Sequence, residues 1–109
     1  RKEIKKYELD NLTVETPPKW DRKWRIVIFD IPAKKQKARL ALLAKLKNLG
    51  FIMLQRSVWV HPFECRSEFS VLARAFEVEQ YCHYLTCEDI SAWDYLRREF
   101  EHKNNVQLI

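Results

Sequence analysis

The chain has 109 residues, of which 47% are hydrophobic and 32% charged, with a formal net charge of +5. That length suits one domain with a modest core, and the composition excludes a disordered chain. No apolar run approaches the ~18 residues that a membrane span needs, and the charged residues at 1–6 have no apolar stretch behind them, so a cytoplasmic protein without signal peptide or membrane contact is expected.

Residues 1–18 read as a connector, with Tyr7, Leu9, Leu12 and Val14 spaced through polar sequence until Pro17-Pro18 stops regular structure. This stretch is expected to lead in from an upstream domain, and residues 19–109 to form the module itself. Residues 25–31 (RIVIFDI) are apolar on both alternating faces apart from Asp30, the pattern of a central strand packed on both sides. One face is expected to take helices and the other a second copy of the chain. Pro32 ends that strand. Residues 33–49 place Leu42, Leu43, Leu46 and Leu49 at helical spacing, with Lys34, Lys37, Lys45 and Asn48 toward the other side. Gly50, the only glycine, is placed as a helix stop. Residues 51–54 and 57–62 read as two strands joined at Gln55-Arg56-Ser57. Residues 65–76 read as a helix with Phe69, Leu72, Ala73 and Phe76 inward, and residues 81–86 alternate as a fourth strand. Residues 89–101 read as a terminal helix, with Ile90, Trp93, Phe100 and either Leu96 or its neighbour Tyr95 inward. The order predicts an α+β fold, a ferredoxin-like β-α-β-β-α-β sandwich with a C-terminal helix. Its open sheet face is expected to be covered by self-association into a homodimer.

Charge is divided along the chain. From Lys19 to Lys47 ten Lys or Arg stand against two Asp, whereas from Glu64 to Glu101 four Arg stand against nine acids. Such polarity suggests an anionic partner on one side, complementary contacts between subunits, or charged faces that meet only water. Cys65, Cys82 and Cys87 are an odd set that forms no disulfide framework and reads as reduced thiols. His61 with Cys65, and His83 with Cys87, have a spacing that metal ligands use, but no four-ligand zinc set is present. One glycine leaves no room for a phosphate loop, and nothing marks an activated thiol.

Residues 20–32 (WDRKWRIVIFDIP), followed by a helix studded with Lys and Arg, resemble the central domain of PaaX-type transcriptional repressors, the regulators of the phenylacetate pathway. So does Leu49-Gly50-Phe51 running into residues 54–62 (LQRSVWVHP). That domain is in turn similar to the small CRISPR-associated endonuclease that partners the spacer integrase. The resemblance covers about residues 19–88, and it implies that residues 1–18 follow a winged-helix DNA-binding domain. In the endonuclease family, an Asp at the end of the first strand is the proposed catalytic metal ligand, facing its twin across the dimer. That position is Asp30 here, and it implies Mg²⁺ or Mn²⁺ if the domain is catalytic. The Gln-x-Ser-Val segment matches Gln55, Ser57 and Val58; Gln55, Ser57 and Trp59 are expected at the dimer seam. The family's basic first helix matches Lys34, Lys35, Lys37 and Arg39, which with Arg56 are expected to contact DNA or RNA. An integrase-type CRISPR protein is a further implied partner. The long lead, Pro32, the Trp20/Trp24 pair and the C-terminal helix depart from the endonuclease and lean toward the repressor.

Metal-assisted phosphodiester cleavage needs hard oxygen ligands and a positioned water, so one Asp per subunit serves only where two copies meet. The bland alternative is that Asp30 caps the helix after Pro32 or accepts a bond from an Arg. The basic helix would neutralise phosphates in a salt-sensitive, sequence-independent way. Trp20, Trp24 and Trp59 are core or interface anchors, or else stacking platforms for bases. Three functions are therefore expected: an endonuclease-like dimer acting on nucleic acid, a non-catalytic dimerisation domain of a PaaX-like repressor, or a plain docking module.

Overall fold

A computed structural model describes residues 6–109. Residues 1–5 of the expected connector, and the side chain of Tyr7, lie outside the described part.

The strand with two apolar faces forms as β1 (Trp24–Phe29). It sits inside a four-stranded antiparallel sheet with β2 (Ile52–Gln55), β3 (Val58–His61) and β4 (Cys82–Cys87), in the order β2-β3-β1-β4. Val27 stands between Trp59 of β3 and Tyr84 of β4. The ladder ends at Phe29, short of the expected Ile31, although the Asp30 N–H still reaches the Tyr81 carbonyl at 3.0 Å. Pro32, with no N–H to donate, cannot prolong it.

The helices are α1 (Lys6–Asp10), α2 (Gln36–Asn48), α3 (Arg66–Ala75) and α4 (Trp93–Asn104). A 3₁₀ turn over Ala33–Lys35 leads into α2. Leu42 and Leu46 of α2 and Phe69, Leu72 and Ala73 of α3 bury against Val27, Phe29 and Trp59 on one face of the sheet. Leu43, Leu49 and Phe76, expected in those stripes, are half-buried at their margins. Gly50 stops α2 with a φ of 96°, in the left-handed region that glycine enters without strain.

The opposite face is covered from within the chain. Leu96 and Phe100 of α4 bury with Trp24, Ile26, Ile52 and Val60, joined by Trp20, Phe63 and Leu108. This corrects two expectations: helices lie on both faces, and α4 occupies ground assigned to a second copy. The tail fastens the helix there. The Leu108 N–H donates to Glu101 Oε2 at 2.7 Å, Arg97 donates to the Leu108 carbonyl at 2.9 Å, and the Trp20 N–H reaches the Ile109 carbonyl at 3.0 Å. Rings of Trp20, Trp24 and Trp93 meet at centroid distances of 5.0, 5.3 and 5.6 Å. The helix starts at Trp93 rather than residue 89 because the Trp93 N–H first closes a turn on the Ile90 carbonyl at 3.0 Å.

The connector is a strap. Leu9, Leu12 and Val14 pack against the helix-side core, and Lys45 donates to the Leu9 carbonyl at 3.3 Å and meets Asp10 at 3.4 Å. Among the described residues no helix is long and apolar enough to cross a membrane.

Candidate functional site

Strand alternation puts Trp24, Ile26, Ile28 and Asp30 toward the α4 side of the sheet. The helix buries Trp24 and Ile26 but leaves Ile28 39% and Leu85 38% exposed. Ile28 pairs with Val58 on one side and His83 on the other, and Leu85 pairs with Ile26. The result is a half-face of apolar side chains with Asp30 at its end. The Asp30 carboxylate is exposed and has no hydrogen bond or ion pair among the described residues. The turn after it is capped at Pro32 with no side-chain bond, so the capping role expected as the alternative is not filled. No three His, Cys, Asp or Glu converge on a common point among the described residues. A single carboxylate is a small share of the octahedral oxygen shell that Mg²⁺ demands.

The residues expected at a dimer seam separate. Gln55 is exposed and Ser57 half-buried at the β2–β3 turn, where the Ser57 carbonyl accepts the Phe29 N–H at 3.1 Å. Trp59 points the other way. It is 3% exposed inside the helix-side core and donates its Nε1–H to the Arg56 carbonyl at 3.3 Å. Its burial makes Trp59 a core residue with no free surface for a second chain.

The expected basic surface also divides. Lys34 and Lys37 are exposed, while Lys35 is half-buried and donates to the Glu77 carbonyl at 3.2 Å. Arg39 and Arg56 instead line a groove of about 660 Å³ together with Lys47 and Lys103, over a floor of Leu43, Phe51, Met53 and Trp59. Lys47 and Lys103 were not among the expected contacts. The spacing of Arg39, Leu43 and Lys47, four apart along α2, marks one helix face and carried a signal for the first. Only the topology brings Lys103 there from the end of α4.

Arg25, counted in the basic half, is unavailable to phosphate. It is 5% exposed and forks onto Asp21, with Nη1 to Oδ1 at 2.9 Å and Nη2 to Oδ2 at 2.5 Å. Nη1 also reaches the Pro62 carbonyl at 2.7 Å, an oxygen shared with Trp20 Nε1 at 2.7 Å, while Nε lies 3.4 Å from Glu64. Burial works against the Arg25 charge, but the bond to Asp21 and the charges of Asp21 and Glu64 together outweigh it and raise the pKa; in turn the Arg25 bond lowers that of Asp21. The group is a clamp at the base of the sheet. The thiols are likewise quiet. Burial pushes Cys65 up to about 12 and Cys82 up to about 11, so both stay protonated at neutral pH.

Residues 17–104 match the family model described as the PaaX protein central Cas2-like domain. The match begins as the strap ends and closes at Asn104, the last residue of α4. The covering helix, which departs from the endonuclease pattern, thus falls inside the matched range. No curated protein matches the chain.

Proposed function

Because the chain belongs to the PaaX central Cas2-like domain family, we propose that it is the non-catalytic self-association domain of a PaaX-like transcriptional regulator. In this reading DNA contact falls to a winged-helix domain joined through residues 1–18. The observation that carries it is the half-covered sheet face. The α4 helix, within the family match, seals Trp24 and Ile26, and the remaining apolar ground around Ile28, Leu85 and Val58 is what a two-fold copy of the same patch would bury. Sedimentation of the purified chain beside Leu85→Arg tests this. A dimer for the parent and a folded monomer for the variant support it; a monomeric parent at micromolar concentration removes it.

A second reading rests on Asp30, whose unpartnered carboxylate stands on the same half-face. Two copies meeting there would bring two Asp30 together, the pairing a Mg²⁺- or Mn²⁺-dependent endonuclease of DNA or RNA would need. In that case Lys34, Lys37 and Arg56 would be candidate phosphate contacts, and an integrase-type CRISPR protein a candidate partner. The test is incubation with labelled duplex DNA and single-stranded RNA, with either metal and with chelator, beside Asp30→Ala. Metal-dependent cutting lost in Asp30→Ala establishes this reading over the first; no cutting by the parent discards it.

A further inference from the structure

Strand β2 is an edge of the sheet, and among the described residues no backbone hydrogen bond reaches Ile52–Gln55 except through the β3 ladder. An edge strand presents a row of free N–H and C=O groups on which another extended segment can pair. The groove described above runs beside this edge, walled by α2 on one side and the end of α4 on the other. Arg39, Lys47, Arg56 and Lys103 line it and no carboxylate does. Its floor includes Met53, which is 49% exposed.

We propose that the β2 edge is a strand-addition site for an extended polypeptide segment that alternates acidic and apolar side chains. The free backbone supplies the pairing, the four cations supply the complement to the acids, and Met53 with Leu43 supplies the seat for the apolar side chain between them. Successive side chains of an added strand point in turn to the α2 face, where Met53 and Leu43 lie between Arg39 and Lys47, and to the α4 face, where Lys103 stands. The aromatic rings of the floor argue against nucleic acid. Phe51 and Trp59 are each 3% exposed, so neither offers the open face on which a base stacks. This site lies on a different surface from the half-face around Ile28 and stands apart from the self-association reading.

The probe is a fluorescein-labelled peptide alternating Glu and Val, titrated by anisotropy against the purified chain. The expected result is saturable binding, slowed amide exchange at residues 52–55, and a loss of affinity of about tenfold or more in Lys47→Glu and in Arg39→Glu/Lys47→Glu. Lys47 is exposed, so the single variant keeps the test open if the double variant fails to fold. The same peptide with alternate backbone nitrogens methylated should not bind, and Leu85→Arg should bind as the parent does. Absence of binding, equal binding of the methylated peptide, unchanged exchange at residues 52–55, or displacement of the peptide by oligothymidylate would each overturn the proposal. Any of these would leave the four cations as guards of an exposed edge or as phosphate contacts.

Discussion

The backbone N–H of Phe63 donates to Nδ1 of His61 at 3.1 Å, which leaves the ring proton on Nε2, 2.9 Å from the Leu49 carbonyl oxygen. The imidazole thus ties the end of β3 to the end of α2 as a neutral group, between the rings of Phe51, Phe63 and Phe100 at centroid distances of 4.9, 5.6 and 5.3 Å. Burial, with the charge of Arg25 adding to it, lowers its pKa from 6.5 to about 4, although the bonds to Leu49 and Phe63 pull the other way. Between those values the unfolded chain holds the extra proton, so stability rises with pH. The contribution is complete above 6.5 and is lost as pH falls through 4, a span worth about 3 kcal/mol. Urea midpoints measured from pH 7 down to pH 4 should fall, and His61→Gln should flatten the slope. An unchanged slope in the variant would transfer the effect to other groups.

Gly50→Ala should cost about 1–3 kcal/mol. Its φ is 96°, and a Cβ at that position would lie 2.8 Å from Asn104 Oδ1. Asn104 is held there by bonds from Nδ2 to the Phe100 carbonyl at 3.1 Å and to the Gly50 carbonyl at 3.4 Å. Strain and clash can be separated by a double-mutant cycle. In an Asn104→Ala background the glycine substitution should cost less, and equal cost in both backgrounds would assign the whole effect to the backbone.

Arg25→Met should destabilise the chain by about 2–4 kcal/mol, since it strips the Pro62 carbonyl of a donor and leaves Asp21 and Glu64 without their cation. Arg25→Lys should recover little of this, because an ammonium cannot fork onto both oxygens of Asp21. Nucleic-acid binding by the two folded variants, where the parent binds at all, should match that of the parent. A selective loss of binding would put Arg25 back in the basic surface.

Much of this architecture is legible in residue periodicity. Residues 25–31 alternate two apolar faces and so demand two covering layers, and Leu42/Leu46 and Phe69/Leu72/Ala73 lie in the stripes their spacing implies. Periodicity says that a stripe is buried but not against what. By spacing alone Leu96 and Phe100 could as well pack beside the other helices, which leaves a second copy as an equally good cover for the sheet. Alternation also carries the signal for two further residues. Arg25 falls in step with Val27 and Phe29, and Trp59 out of step with Val58 and Val60, so both belong to the helix-side face. A charge count carries no information on strand parity, and it is parity that turns Arg25 and Trp59 inward. The groove was beyond reach from sequence, because Lys103 and Arg39 are far apart in the chain and only the crossing of α4 under the β2 edge brings them together.

The covering role of α4 separates two neighbours that spacing alone left tied. Leu96 is fully buried against the sheet, while Tyr95 is 45% exposed. Leu96→Ala should therefore open a cavity over Trp24 and Ile26 and cost about 2–5 kcal/mol. Tyr95→Ala should change stability by less than about 1 kcal/mol. The comparison is read in urea midpoints at pH 7 and, more locally, in Trp fluorescence, because Trp20, Trp24 and Trp93 form one cluster under the helix. A red-shifted emission in Leu96→Ala, ahead of global unfolding, would mean that α4 lifts first and the sheet outlasts it. In that case the face bearing Ile28 and Leu85 grows, and self-association of Leu96→Ala should strengthen relative to the parent. Costs that are equal for the two substitutions would mean that α4 does not seal the sheet, and that the half-face is not bounded where the structure draws it.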